Sequence, residues 1–127
     1  MAVDIRTTIR GQTPRLRFER IARSILGARY ELSLVICGDT LAYTINKKYR
    51  KKTYSPNVLS FPLSASEGEI FLNVRKAERE ARALGTTTQK RVALLYVHGL
   101  YHLKGLVHGD PMESLEQKTL RSFSLAD

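Results

Sequence analysis

Residues 30–36 alternate apolar and polar side chains, a period of two that predicts a β-strand. Shorter stretches at 57–61 and 69–72 predict two more strands, with a loop of Ser, Gly and Glu between them. Elsewhere apolar residues recur every three or four positions, which predicts helices. Strands and helices therefore alternate along the chain, and with a length of 127 residues this predicts one α/β domain spanning residues 1–127.

The first predicted helix begins at Thr13-Pro14, because threonine can cap a helix and proline suits its first position. Gly27 is expected to end it. The apolar face of this helix consists of Leu16, Ile21, Ile25 and Leu26. The opposite face is basic and carries Arg15, Arg17, Arg20 and Arg23.

A second and a third helix follow from capping residues and apolar spacing. Asp39 is a candidate cap for the second. The inner stripe of this helix is expected to be Leu41, Ile45 and Tyr49. The third is expected from about residue 73 to 84, where Gly85 stops it.

The fourth predicted helix differs from the others because residues 92–103 are apolar on nearly every side. Thr87 or Thr88 is expected to cap its start. A helix that is apolar all round is a buried helix, so we expect this one to run through the centre of the domain. A last helix is expected after Pro111.

All three histidines of the chain lie between positions 98 and 108, on or just after this central helix. His98 and His102 are four residues apart, so both imidazoles project from one helical face. Gly105 can end the helix in a left-handed conformation, which would return His108 toward the other two. Three converging imidazoles form a site for a transition metal, most often zinc, with a fourth position open for water. The alternative is a buried helix whose histidines are hydrogen-bonded and inert.

The residue after the first histidine separates this motif from that of the zinc proteases. In those enzymes the helix reads His-Glu-x-x-His and the glutamate is the general base, whereas this chain has Gly99. The longer spacing matches the metzincin proteases at every other position. We therefore predict a metal site without the peptide-cleaving base. With no carboxylate base in the motif, water activated by the metal would have to be the nucleophile.

Positive charge is concentrated in the first half of the chain. Residues 1–57 hold twelve basic and four acidic residues, a balance of +8, and residues 58–127 hold nine and eight, a balance of +1. A basic half beside a metal site favours a polyanionic substrate, with nucleic acid first. A solvated basic surface that aids solubility is the alternative.

The single cysteine, Cys37, ends an apolar run and is expected to pack in the core rather than act as a nucleophile. One cysteine excludes an internal disulfide and fits a reducing cytoplasm. The first residues lack the apolar core of a signal peptide, and no apolar stretch approaches the ~20 residues that span a bilayer. We therefore expect a cytoplasmic protein without membrane association.

Five basic residues occupy the six positions 47–52, where the second helix ends, and tyrosines interleave them. Cations are favoured at helix C-termini, but guanidinium also binds phosphate through two parallel hydrogen bonds. Tyrosine can stack on an unpaired base. Arg50 is therefore the candidate catalytic residue, and Lys51 and Asn57 are candidates for binding the substrate.

Several motifs occur in order between Ile36 and Glu116, over most of the chain. They are Tyr49-Arg50, Asn57-Val58-Leu59-Ser60-Phe61-Pro62, Gly68-Glu69-Ile70, the run from His98 to His108, and Met112 with Glu116. Together they resemble the YbeY family of bacterial rRNA maturation factors, described as single-strand-specific, metal-dependent endoribonucleases.

The resemblance implies an α/β (α+β) fold, a small mixed β-sheet flanked by helices, with the metal motif on the central buried helix. It implies that His98, His102 and His108 bind one zinc ion per chain, although imidazole ligands accept other divalent transition metals. Arg50 would lie beside the metal. Ser60 would lie on the strand that lines the cleft, where substrate binds.

The resemblance also implies partners and a role. The implied substrates are single-stranded RNA and rRNA, and the implied partners are the ribosome or ribosomal proteins. The role would be maturation of small-subunit rRNA at its 3′ end, together with ribosome quality control.

The chain departs from the usual pattern of the family in three places. Pro56 stands where the family has Thr, Glu69 where it has Asp, and Leu106-Val107 where it has Tyr-Asp before the third histidine. A carboxylate next to a metal ligand can orient that ligand. Asp110 is the candidate for taking over this role.

Two functions of different classes follow from these observations. In the first, the protein is a hydrolase: the metal polarises a phosphoryl oxygen and Arg50 neutralises charge on the phosphate. In the second, the metal stabilises the fold, and the basic half binds rRNA or a ribosomal protein without cleaving it. A metalloprotease comes third, weakened by Gly99.

Overall fold

A computed structural model describes residues 2–127 of the chain, and this part contains four strands and five helices. The strands are β1 (Ala2–Thr7), β2 (Glu31–Cys37), β3 (Val58–Ser64) and β4 (Glu67–Asn73). The helices are α1 (Phe18–Leu26), α2 (Asp39–Arg50), α3 (Val74–Leu84), α4 (Thr88–Leu103) and α5 (Asp110–Ser122). The predicted α/β fold is confirmed.

The strands form one mixed sheet in the order β1-β2-β4-β3. Strands β1, β2 and β4 run parallel, and β3 pairs antiparallel with β4 through a tight connection. Alternate residues of β2 face opposite sides of this sheet. Leu34 and Ile36 join the main core with α1, α3, α4 and α5, whereas Val35 and Cys37 pack against α2 on the other face.

Helix α4 is the centre of the main core, as its apolar sequence predicts. It contacts β3, β4, α1, α3 and α5. Tyr96 at its middle is fully buried, and its hydroxyl donates to the Phe18 carbonyl over 2.8 Å. Thr87 caps the helix by accepting from the Lys90 backbone amide. Within residues 2–127, none of the helices combines the length and the apolar character that a membrane crossing requires.

The start of the first helix differs from its prediction. It lies at Phe18, and the Thr13-Pro14 pair belongs to an irregular segment. Side chains from α3 and α4 bind the carbonyls of this segment: Arg75 donates to Gln12, and Gln89 donates to Arg15. These contacts satisfy backbone groups that a helix would otherwise pair internally. The end at Gly27 is confirmed, with a φ of 88°.

The buried face of α2 also differs from its prediction. Ala42 and Asn46 are buried there, and Tyr49, predicted on the inner stripe, is 60% exposed. The reason is polar: the Asn46 side chain donates to the Tyr54 carbonyl over 3.0 Å and fastens the following loop to the helix. The spacing of apolar residues cannot predict a helix face that is buried because of a side-chain amide.

Strand β1 has no counterpart among the predicted elements. It is an edge strand, and five of its six residues are exposed. A strand with almost no buried face has no reason to show the alternation that reveals the others. Cys37 is fully buried, and burial raises the pKa of its thiol to about 11, which confirms its predicted place in the core.

Candidate active site

His98 and His102 form a close pair on α4. Their ring centroids lie 4.4 Å apart, and the two Nε2 atoms are 2.9 Å from each other. The spacing of four residues produces this pairing, because it places both side chains on one face of the helix. The two imidazoles that were predicted to project from one helical face do so.

The outer nitrogen of each ring has its own hydrogen-bond partner. His98 Nδ1 donates to Glu116 Oε2 over 2.6 Å, and Glu116 is a buried carboxylate on α5. His102 Nδ1 donates to the Leu106 carbonyl over 3.1 Å. A carbonyl can only accept, so the bond to Leu106 places the His102 proton on Nδ1, and the bond from His98 Nδ1 to a carboxylate oxygen places the proton of that ring on Nδ1 as well. Both Nε2 lone pairs therefore face the same point.

Two neutral Nε2 atoms at 2.9 Å cannot hydrogen-bond to each other, because neither carries a proton. Their approach is favourable only when a proton or a metal ion lies between them. Two ligands of a tetrahedral zinc ion, each about 2.0–2.1 Å from the metal, are about 3.3 Å apart. The pair is close to that separation, so these residues fit a divalent ion.

Burial lowers the pKa of His102, and the neighbouring His98 lowers it further. Both effects favour the neutral form of the His102 ring. A neutral ring is the form that binds a metal.

The turn after α4 brings the third histidine back toward the pair. Gly105 has a φ of 102°; its amide donates to the His102 carbonyl and the Leu106 amide donates to the Tyr101 carbonyl. These two bonds define a Schellman turn, which ends helices at a left-handed glycine. The ring of His108 lies 5.7 Å from that of His98, measured between centroids.

His108 nevertheless differs from the other two. Its side chain is 70% exposed, and Nε2 lies 3.7 Å from Glu113 Oε1. Within residues 2–127, no three His, Cys, Asp or Glu side chains already stand in ligand positions for one metal ion. The pair on α4 is thus preformed, and a third ligand from His108 requires a further approach of its loop.

The histidines open into a cleft of about 760 Å³. Of the residues predicted for the site, six line this cleft: Arg50, Asn57, Ser60, His98, His102 and His108. Lys51 is not among the lining residues; it is the left-handed residue that ends α2, with a φ of 60°. The cleft therefore places the candidate arginine and the histidines around one space.

Ser60 on β3 and Gly99 on α4 are in direct contact. Ser60 Oγ donates to the Gly99 carbonyl over 3.0 Å. A Cβ at position 99 would lie 2.8 Å from Ser60 Oγ and 3.3 Å from side-chain atoms of Val58 and Ile70. The position taken by the protease glutamate therefore has no room for a side chain, which explains Gly99.

Gly99→Ala is expected to lower the free energy of unfolding by roughly 1–3 kcal/mol. Overpacking costs about 1–3 kcal/mol and a lost hydrogen bond about 1, against a helix-propensity gain of about 1 for alanine. Denaturant unfolding measures the change. The double variant Ser60→Ala/Gly99→Ala should recover stability because the clashing hydroxyl is gone. A single variant as stable as the parent would contradict the close approach.

The residues that line the cleft include Arg91 on α4 and Glu116 on α5, for which the sequence predicted no role. The carboxylate that orients a histidine is Glu116, and not Asp110, which lies at the start of α5. Glu116 lies on the inner face of α5 with Met112 and Leu120. The spacing of apolar residues along this helix could therefore have predicted that Glu116 is a buried acid, but not which residue it contacts. Buried acids are almost always paired.

Comparison with known proteins agrees with the motifs. The sequence profile described as endoribonuclease YbeY matches residues 7–125. The protein named endoribonuclease YbeY in Methylibium petroleiphilum is 33% identical over 126 residues, which cover 93% of this chain and 85% of that protein. The protein of that name in Aquifex aeolicus is 37% identical over 84% of this chain and 75% of its own.

The fold has a solved counterpart. A solution structure of a Thermotoga maritima protein has a TM-score of 0.68 to this chain at 18% sequence identity, covering 96% of this chain and 89% of the other. That similarity concerns the fold, whereas the profile and the sequence relatives cover most of the chain at the level of residues. The resemblance seen in the motifs is thereby confirmed: the chain belongs to the endoribonuclease YbeY family.

Proposed function

We propose that this protein is a metal-dependent endoribonuclease that cuts single-stranded RNA and acts in rRNA maturation. The observation that carries the proposal is the pair of facing Nε2 atoms, 2.9 Å apart, in a cleft shared with Arg50. Membership of an endoribonuclease family favours RNA cleavage over the alternative, a binding module in which the metal only stabilises the fold. Processing of the small-subunit rRNA 3′ end, ribosome quality control and contact with the ribosome belong to the same proposal.

His98, His102 and His108 are the proposed ligands of one divalent ion, with zinc the first choice for an all-imidazole set. When bound, the ion would supply Lewis-acid polarisation of the phosphoryl group and activation of water. The chain supports the ligands through Glu116 and the Leu106 carbonyl, which fix the tautomer of His98 and His102.

Arg50 is the proposed phosphate-binding residue of the reaction. It is the last residue of α2, and its exposed side chain lines the cleft together with the histidines. Its forked donors suit two oxygens of a phosphodiester, where they would neutralise charge in the transition state. Lys51 is exposed beside it and would contact RNA outside the cleft.

Ser60 and Asn57 are proposed to contact the substrate from the β3 side of the cleft. Both also have internal partners: Ser60 donates to Gly99, and the Asn57 amide donates to Glu80. The Ser60 hydroxyl oxygen and the side-chain oxygen Oδ1 of Asn57 can still accept hydrogen bonds from the substrate.

RNA digestion with metal removal and return tests the proposal. Purified protein should cut a single-stranded RNA, lose the activity after chelation, and regain it with one equivalent of zinc or another divalent transition metal. Elemental analysis should find about one bound ion per chain. A duplex of the same sequence serves as the control substrate. Retained RNA binding without metal-dependent cleavage would establish the binding module instead.

Glu116→Gln is expected to weaken metal binding by about 10–100-fold, the usual effect of removing a partner that orients a ligand. The amide can still accept from His98 Nδ1, so the fold is retained, but the charge that holds the ring is lost. Competition with a chromophoric chelator measures the affinity. Asp110→Asn is the matched control and should leave it unchanged. Equal affinities for the Glu116 variant and the parent would show that Glu116 does not support the site.

A further inference from the structure

Arg91 is a second arginine of the cleft, separate from the proposed metal ligands. It lies on α4 seven residues before His98, and a rise of about 1.5 Å per residue places it about 10 Å along the helix. Its side chain is 19% exposed and lines the cleft. Its backbone therefore lies about two helical turns from that of His98, on the same face of α4.

The guanidinium of Arg91 is held in position by an acid. Arg91 Nε donates to Glu80 Oε1 over 3.1 Å, and Glu80 on α3 is itself 24% exposed. The same carboxylate accepts from Asn57 Nδ2 over 3.3 Å and 3.2 Å. Glu80 thus fastens the start of β3 and the side chain of Arg91 to one point.

This arrangement leaves donors available. Within residues 2–127, Arg91 makes this one side-chain hydrogen bond, through Nε, so the terminal Nη1 and Nη2 groups are free for a ligand. An arginine already fixed through Nε loses little rotamer freedom when its fork binds an anion. The ion pair with Glu80 therefore orients the guanidinium and leaves the Nη1 and Nη2 donors available.

The cleft continues beyond Arg91. A smaller depression of about 250 Å³ shares three lining residues with it, namely Arg91, Leu94 and Gln117. The far side of this depression is lined by Leu84, Thr86, Lys90, Leu120, Leu125 and Asp127. Arg91 therefore stands where the two spaces meet, on the path of a chain longer than one nucleotide.

We propose that Arg91 binds a backbone phosphate of the RNA at least one nucleotide away from the scissile phosphate, with Glu80 as its positioning residue. This inference rests on the proposed function. It assigns the substrate class as an extended single strand that runs from the histidines past Arg91. Arg50 binds the scissile phosphate, and Arg91 binds a neighbouring phosphate that contributes to the affinity for RNA.

Equilibrium binding to a 2′-O-methyl oligoribonucleotide, which resists cleavage, tests Arg91 without requiring activity. Arg91→Ala should weaken binding by about tenfold, the effect of one charge-assisted hydrogen-bonded contact. The slope of log K against log salt should decrease by about 0.7, the value for one phosphate of a single strand. Arg82→Ala is the matched control: Arg82 is an exposed arginine on α3 outside the cleft, and its loss should change neither quantity.

Arg91→Gln covers the case in which the alanine variant unfolds, because glutamine can still donate to Glu80. It should show the same loss of affinity and slope. In cleavage, both variants should raise KM for a long RNA. Unchanged affinity and slope in both variants would overturn the proposal. If the unmodified protein binds RNA but never cleaves it, the proposed function is overturned. The binding measurements on the Arg91 variants would still decide whether Arg91 contacts RNA.

Discussion

Alanine at His102 is expected to abolish RNA cleavage and to leave the fold in place. The change removes one of the two Nε2 atoms that face each other at 2.9 Å, and with it half of the preformed pair. It also removes the hydrogen bond to the Leu106 carbonyl, so the loop that carries His108 loses its one contact with the His102 side chain and keeps its backbone bonds to α4. Cleavage of single-stranded RNA, bound metal and far-ultraviolet circular dichroism together measure the outcome.

His98→Ala and His108→Ala should abolish cleavage in the same way, because each removes a proposed ligand. Cys37→Ala is the control and should cleave like the parent, since Cys37 is buried on the opposite face of the sheet. Cleavage that survives the loss of His102 but disappears with Cys37 would refute the metal mechanism.

Arg50→Ala is expected to reduce cleavage by about 10²–10³-fold, the usual effect of removing one donor to transition-state charge. Arg50 is exposed at the end of α2, so its loss leaves the core and the histidine pair untouched. The turnover number at saturating RNA and the metal content are the measurements. Arg50→Lys should recover only part of the activity, because a lysine cannot make the bidentate contact.

The exposed arginines of the first helix provide the contrast. Replacing Arg20 and Arg23 by alanine should weaken binding to all RNAs alike and flatten the salt dependence, with the cut site unchanged. Full turnover by Arg50→Ala at saturating RNA would remove Arg50 from the chemistry. The role of the whole basic half would then be reduced to binding.

The sequence predicts those parts of the site whose residues lie close together along the chain. His98 and His102 are four residues apart on one helix, and the Gly105 turn follows from the left-handed preference of glycine. Glu116 lies 18 residues from the histidine it orients. Such a contact depends on how α5 packs against α4, which no local pattern encodes.

The same distinction explains the fold. Helix α4 is predictable because its burial is apolar on all sides, and the end of α3 because Gly85 is left-handed. The start of α1 and the inner face of α2 are not, because polar contacts with other segments of the chain decide them. Arg75 and Gln89 bind the segment before α1, and Asn46 binds the loop after α2. Each of these contacts is polar and therefore invisible to apolar spacing.

The turn after α4 has a consequence for how this site can vary between relatives. Leu106 contributes to it through a backbone carbonyl, which every residue type provides, and the Val107 side chain is 80% exposed. A substitution at Val107 therefore costs little, and one at Leu106 leaves the bond to His102 in place as long as the new side chain packs against the main core as Leu106 does. On α4, by contrast, a change beside the ligands disturbs the core, so adaptation to another metal ion would begin in the turn.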